Sequence, residues 1–424
     1  MTTDRVNASI ITIGDELLIG QTIDTNSAWI GQELNKIGVW VKRRVAVGDV
    51  ASEIWNALDE ESRESQIILI TGGLGPTADD ITKPLLCKYF GGTLVVNEEA
   101  LQNVKTIFEK FIKRPMLESN LRQAEVPDVC TVIQNKRGTA PGMWFEKDGK
   151  VFISMPGVPN EMKGMMSDFV LSKLPEMFEL PAVVHRTLLT AGIGESYLAD
   201  RIKDFEAALP SYIKLAYLPN FGLVRLRLTA TGKDVTAITN EVDQLFLQLQ
   251  QFVSDVMVIN EDKSLEDAIG LLLVKSGKTM TTAESCTGGY IAHVITSVPG
   301  SSAYFYGSIV SYDNSIKQNV LGVKAETLQT FGAVSEETVI QMANGAKALM
   351  RTNYAIAVSG IMGPGGGTAD KPVGTVWVAV AGEKQTIAQK FQTRYDRRRN
   401  IEVTTIQALN MLRLAILSDL DQEK

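Results

Sequence analysis

Residues 67–80 read Ile-Ile-Leu-Ile-Thr-Gly-Gly-Leu-Gly-Pro-Thr-Ala-Asp-Asp. Ile67–Thr71 is a short continuous apolar run stopped by glycine, the pattern of a strand buried on both faces. The glycines after it, Gly72, Gly73 and Gly75, let backbone N–H groups turn inward toward an anion. Thr77 is placed to cap the next helix, read as Asp79–Tyr89, whose N-terminus favours negative charge. Asp79 and Asp80 supply hard oxygen ligands for a divalent ion that would shield phosphates. A plainer reading stands beside this one: an ordinary βα turn with two acidic residues decorating a first helical turn.

Outward from this stretch, strand and helix signals alternate through about residue 175. Ala8–Ile13 is an apolar β run that leaves into Gly14-Asp15-Glu16. Asp24-Thr25-Asn26 offers cap residues for a helix carrying Trp29, Leu34 and Ile37. Trp40–Val47 reads as a strand and Ala51–Ser62 as a helix. Glu146–Lys150 reads as a hairpin turn between Gly142–Phe145 and Val151–Met155. Such alternation implies βαβ units and a mostly parallel sheet. Ligands of open α/β sheets bind at the carboxyl ends of strands, so the loops carrying Asp15 and Gly72–Gly75 belong on one binding edge.

Two further units follow. Pro175 and Pro181 bracket a linker. After it come strands at 183–189, 214–218, 223–230 and 256–259 and helices at 195–208 and 235–252, a small α+β module. Its Gly192-Ile193-Gly194-Glu195 faintly resembles a KH-domain loop, without the basic stripe of a nucleic-acid binder. Asn260–Lys263 forms the second linker. The expected architecture is α/β in three units: residues 1–175, 176–259 and 260–424.

The composition narrows the chemistry. The chain has 424 residues with a net charge of −7, which argues against direct nucleic-acid binding. Its three cysteines, Cys87, Cys130 and Cys286, read as reduced thiols in a cytoplasmic protein. No apolar stretch is long enough for a membrane span. The two histidines, His185 and His293, lie far apart, without the spacing of a metal site or a Ser-His-Asp triad. Any hydrolysis must rely on carboxylates, Lys, Ser, Thr or Tyr.

Met280-Thr281-Thr282-Ala283-Glu284-Ser285-Cys286-Thr287-Gly288-Gly289 is read as a strand opening into a helix. That places Ser285, Cys286 and Thr287 at the positive helix end, where a developing anion is favoured. With no suitable histidine, the base would be a lysine, and Lys317 follows a strand within Tyr312-Asp313-Asn314-Ser315-Ile316-Lys317. To act at neutral pH its pKa must fall about three units from about 10.4, about 4 kcal/mol of differential environment. Ser359, Gly360 and Gly363, within the loop running to Gly367, offer donors for an oxyanion or phosphate. Taken alone, the residues favour plainer readings: Ser285 as a cap, Cys286 as a buried hydrophobe or as the true thiolate, and Lys317 as a solvated surface lysine.

Motifs in both halves resemble the CinA family. In the front unit these are Gly14-Asp15-Glu16-Leu17-Leu18, Asp24, Asn26, Val47-Gly48-Asp49, the Gly-Gly-Leu-Gly-Pro-Thr loop with Asp79-Asp80, and Pro156-Gly157-Val158-Pro159-x-Glu161. At the rear they are Thr-Ala-Glu-Ser-Cys-Thr-Gly-Gly, Gly300-Ser301-Ser302, Tyr312-x-Asn314-x-x-Lys317, Gly332–Ser335, Ser359-Gly360-Ile361-x-Gly363-Pro364 and Lys371–Val376. The resemblance implies a molybdopterin-binding (MoCF) fold in front, associated with metal-dependent ADP-ribose pyrophosphatase activity. There Gly72, Gly73, Gly75, Thr77 and Asn26 would meet substrate, and Asp15, Asp79, Asp80 and Glu161 would hold the divalent metal. It implies a KH-like middle module. At the rear it implies a nicotinamide mononucleotide (NMN) amidohydrolase that needs no cofactor. Ser285 would be nucleophile and Lys317 its base, with Tyr312 and Ser302 as supporting donors and Thr287, Asn314, Ser359, Gly360 and Gly363 around the substrate. Arg397 is favoured as the phosphate clamp, with Arg394 and Arg398 close rivals. Two departures stand out: Met362 replaces a commonly small residue, and Tyr395-Asp396-Arg397 replaces Gly-Asp-Arg. A homodimer is expected. The alternative is a protein that only binds a pterin or a partner and assists competence or DNA repair.

Overall fold

The computed structural model describes residues 5–77 and 80–421. They form two compact units: residues up to Val184 with Thr231–Thr239, and His185–Ala230 with Asn240 onward. None of the helices in the described residues is long and apolar enough to cross a membrane.

The front unit is built on a six-stranded sheet. Trp40–Val47, Asn7–Ile13, Ile67–Thr71 and Lys150–Met155 lie side by side and parallel. Gly142–Lys147 and Thr131–Ile133 complete the sheet antiparallel. Alternation along each strand gives both faces a core. Ile10, Ile67, Leu69 and Ile153 pack with Ile30, Leu34 and Met162 on one face. Ile11, Ile13, Ile68, Ile70 and Phe152 pack with Ile54, Leu58 and Leu86 on the other. This is why Ile67–Thr71 is apolar at every position: it has helices above and below.

Asp24 caps the Thr25–Lys36 helix, accepting from the Ser27 N–H at 2.9 Å. The helix expected at Asp79 instead runs Thr82–Phe90, with Ile81 at its cap. Thr77 does not cap it. Its N–H and hydroxyl both donate to the Asp80 carboxylate within the loop.

The second unit joins the middle module and the rear. In the module, Ile213–Asn220, Leu223–Gly232, Ala182–Ala191 and Met257–Ile259 lie in that order in one sheet. The helix expected over 195–208 is broken into Glu195–Arg201 and Lys203–Ala207. The rear sheet runs Phe305–Val310, Met280–Glu284, Tyr354–Gly360, Thr375–Ala381, Thr386–Gln392, with its first three strands parallel. Ile356 and Val358 face the helices Leu265–Ser276, Tyr290–Thr296 and Arg397–Asp421. Ala355 and Ala357 face Glu336–Met350. Leu189, Ala191 and Leu223 of the module belong to the same apolar cluster as Leu265, Ile269 and Leu412, so the two parts share one core.

Candidate active site

A cavity of about 300 Å³ opens at the carboxyl ends of the parallel rear strands, where loops from Met280–Glu284 and Tyr354–Gly360 meet. It is lined by Ser285, Cys286, Tyr312, Asn314, Lys317, Gly360, Met362, Gly363 and Arg397, among others. Residues up to about a hundred positions apart are thereby gathered around one space.

Lys317 sits on the short helix Asn314–Asn319 and is only 1% exposed. Its Nζ donates to the Ser311 carbonyl at 2.7 Å and the Tyr312 carbonyl at 3.1 Å. Burial holds the amine below the ordinary lysine value, against the opposing pull of Asp313 and Cys286. A neutral amine has two N–H bonds and a lone pair. With both N–H groups on carbonyls, the lone pair is the part left for a hydroxyl. The solvated-lysine reading is therefore wrong.

Cys286 is buried in the apolar cluster with Met280, Ile291 and Met362. Burial pushes its thiol up to about 12, outweighing the opposing pull of Lys317 and Arg397, so it does not hold the thiolate a nucleophile needs. Ser285 lines the cavity beside it and anchors through its N–H to the Val358 carbonyl at 3.0 Å.

The structure corrects the expected role of the helix. The helix begins only at Tyr290 and has seven residues, and Ser285–Gly289 forms a turn before it. The helix N–H groups belong to Glu284, which is fully buried. Its carboxylate accepts from the N–H groups of Gly289 (3.0 Å), Ile291 (3.0 Å) and Ala292 (2.8 Å). It also accepts from the hydroxyls of Thr287 (2.7 Å), Thr282 (3.2 Å) and Ser308 (3.3 Å). The helix start thus stabilises Glu284 rather than Ser285, and Thr287 ties the turn down instead of facing the cavity. The role of Glu284 was not legible from the motif around it. The available signal was a carboxylate closing an otherwise apolar strand, since an acidic residue is almost never fully buried unless its bonds are met.

Arg397 donates to the Gly363 carbonyl at 2.9 Å and the Tyr312 hydroxyl at 3.1 Å. Arg398 pairs with Glu402 and is 91% exposed, and Arg394 is also exposed; neither lines the cavity. Asn400, fully buried, donates to the carbonyls of Met362 and Tyr395 and accepts from the Tyr395 N–H, locking the turn that carries Arg397 onto the glycine loop. Ser359 lines the cavity, but its hydroxyl donates to the Ala333 carbonyl at 2.7 Å. Ser302 is exposed and is not part of the lining.

In the front unit the four parallel strands deliver their loops to one edge. Gly14 donates to Val47 and Gly72 to Met155, each at 3.1 Å. Gly72, at φ 118°, approaches the Ile13 carbonyl so closely that a Cβ would lie 2.2 Å from it. Asn26 donates to Thr71 (3.1 Å) and to the Gly157 carbonyl (2.7 Å), leaving its own buried carbonyl oxygen without a partner. The expected metal ligands are not brought together. Asp15 faces Asp49 and Gly48, Asp80 accepts from Gly75 and Thr77, and Glu161 accepts from Asn135 at 2.6 Å. Asp79 lies outside the described residues. Among the described residues no three His, Cys, Asp or Glu side chains are gathered for a metal ion.

Comparison with known proteins supports this architecture. Residues 9–176 match the "Probable molybdopterin binding domain" model, 185–257 the "Damage-inducible protein CinA KH domain" and 262–416 the "CinA C-terminal domain". A CinA-like protein of Cytophaga hutchinsonii is 47% identical over 96% of this chain and 98% of its own. The chain belongs to the CinA family. Another relative, a putative competence-damage inducible protein of Acetivibrio thermocellus, is 38% identical over 97% of this chain and 99% of its own. Among solved structures, competence/damage inducible protein CihA from Agrobacterium tumefaciens is 43% identical, covering 36% of this chain and 93% of its own, with TM-score 0.35.

Proposed function

We propose that the rear site hydrolyses the carboxamide of NMN to nicotinate mononucleotide and ammonia. The observation that carries the reading is a buried, carbonyl-anchored Lys317 sharing a small polar cavity with Ser285. Neutral Lys317 takes the Ser285 proton as Oγ attacks the amide carbon, and returns it to the departing nitrogen, which leaves as ammonia. Water, activated by the same amine, then attacks the acyl ester and frees the acid. Backbone N–H groups of the Gly360–Gly366 loop are the candidate oxyanion donors. Arg397, whose planar fork suits phosphate, anchors the nucleotide at the mouth.

The front edge is proposed to bind a phosphate-bearing ligand, supported by the glycine loops that converge at the ends of the parallel strands; the unpartnered Asn26 carbonyl oxygen would accept from a hydroxyl or N–H of that ligand, not meet its phosphate.

Purified protein incubated with NMN should release ammonia. Incubation with ADP-ribose and divalent ions, followed for AMP, tests the front edge separately. Ammonia without AMP would make this an amidase whose front unit only binds. Neither product would move the reading to a protein that binds a pterin or a partner.

A further inference from the structure

Phe221 of the middle module packs on the turn that carries Arg397 at the rear site. Asn220 pairs directly with Leu223 across a two-residue hairpin turn. Phe221 and Gly222 both have positive φ, 46° and 84°, the geometry of a type I′ turn. Its first central position favours Asn, Asp or Gly, and a bulky aromatic there is strained. Strain of this kind persists only where the surroundings over-determine it. Here they do. Arg399 lies over the Phe221 ring at 4.3 Å, and the Tyr395 ring meets it edge-on at 5.8 Å. The Gly192 N–H holds the turn from behind, donating to the Gly222 carbonyl at 3.0 Å. Tyr395 and Arg399 flank Arg397, and Asn400 binds the same turn to Met362 of the cavity wall.

We propose that Phe221 is a positioning residue for the rear site, its ring holding the Tyr395–Arg399 turn so that Arg397 meets the phosphate of a nucleoside monophosphate. The proposal rests on the reading of the cavity as a mononucleotide site. Phe221 touches no substrate, so it acts on binding far more than on the chemical step.

The test uses the full-length chain. Phe221→Asn removes the ring and relieves the strained backbone together. It should raise KM for NMN about three- to tenfold, the range of one cation–π and one ring contact. Its kcat should move far less, and its melting temperature should not fall. Phe221→Trp should restore KM, and Arg399→Ala should raise it without adding fully to Phe221→Asn. An unchanged KM in Phe221→Asn overturns the proposal and leaves the amidase reading standing. So does a loss of kcat and melting temperature together, which is what a merely structural role would give. If the parent protein releases no ammonia, the same comparison is made on the Kd of NMN by calorimetry. A parent that neither hydrolyses nor binds NMN overturns both readings.

Discussion

Ser285 and Cys286 are adjacent, and sequence chemistry left either as the nucleophile. Both border the cavity, but Cys286 is also packed among Met280, Ile291 and Met362, and that burial pushes its thiol up to about 12. Ser285→Ala should therefore lower NMN turnover by several powers of ten with little change in melting temperature. Cys286→Ala should keep most activity and should instead lose about 1–2 kcal/mol of stability through the small cavity it leaves. Ammonia release and thermal melts of the two variants side by side decide it; an active Ser285→Ala beside a dead Cys286→Ala makes this a thiol enzyme. Lys317 adds a pH signature. Its neutral form is the base and burial depresses its pKa, so kcat/KM should rise with pH with a midpoint below the ordinary lysine value. The same depression affects folding. Between the native and the ordinary value the unfolded chain holds the proton that the folded chain has released. Stability contributed by this group therefore rises with pH through that window. Lys317→Met should be as inactive as Ser285→Ala, and the double variant little worse than either. A Lys317→Met variant with the parent's pH profile would show that the base lies elsewhere.

At the scale of elements, the turn Ser285–Gly289 is shaped by a carboxylate beneath it. Glu284→Gln conserves the shape but turns an NH₂ group against N–H donors that have no other partner. It should cost about 2–4 kcal/mol, mostly from buried donors left unsatisfied, and lower kcat with it because Ser285 loses its support. Glu284→Asp should do no better, since a side chain one methylene shorter cannot reach both Thr282 and Ala292 (2.8 Å in the parent). Melting curves read beside ammonia release check this; parent-like stability in Glu284→Gln would mean the turn is held by other bonds. The helix starts show the general point. Expected N-termini at Asp79 and near Ser285 were each displaced by several residues, to Thr82 and Tyr290. Asp80 accepts from the loop N–H groups of Gly75 and Thr77, whereas Glu284 accepts from first-turn N–H groups of its helix and so fixes where that helix begins.

Across the whole molecule, the second unit is one body because the module's Leu189, Ala191 and Leu223 share a core with the rear helices. Arg413, almost fully buried, strengthens the join by donating to the Met257 carbonyl at 3.2 Å. A fragment from Glu261 to Lys424 keeps the rear sheet, Ser285, Lys317 and Arg397, so it should fold and release ammonia. It lacks Phe221 and exposes part of the shared core. Its KM should therefore exceed the parent's by at least the Phe221→Asn factor, and its melting temperature should be lower. A fragment with the parent's KM would show that the module does not act on the site. An insoluble one would show that the shared core is needed for folding.

The sequence by itself determined what is local or periodic. Alternating apolar runs and turns placed most strands to within a residue or two, because burial on two sheet faces leaves few other patterns. Asp24 announced its helix, because a cap is satisfied within three residues. The order of the glycine loops along the chain pointed to the ends of strands. Tertiary structure alone decided what depends on residues far apart. It buried Lys317 against two carbonyls, brought Arg397 and neither Arg394 nor Arg398 to the cavity lining, and gave Glu284 its donors. It also turned Asp15, Asp80 and Glu161 toward separate backbone and side-chain partners. Burial and hydrogen bonding set the protonation and reach of each such group, and both arise only when strands from distant parts of the chain lie side by side.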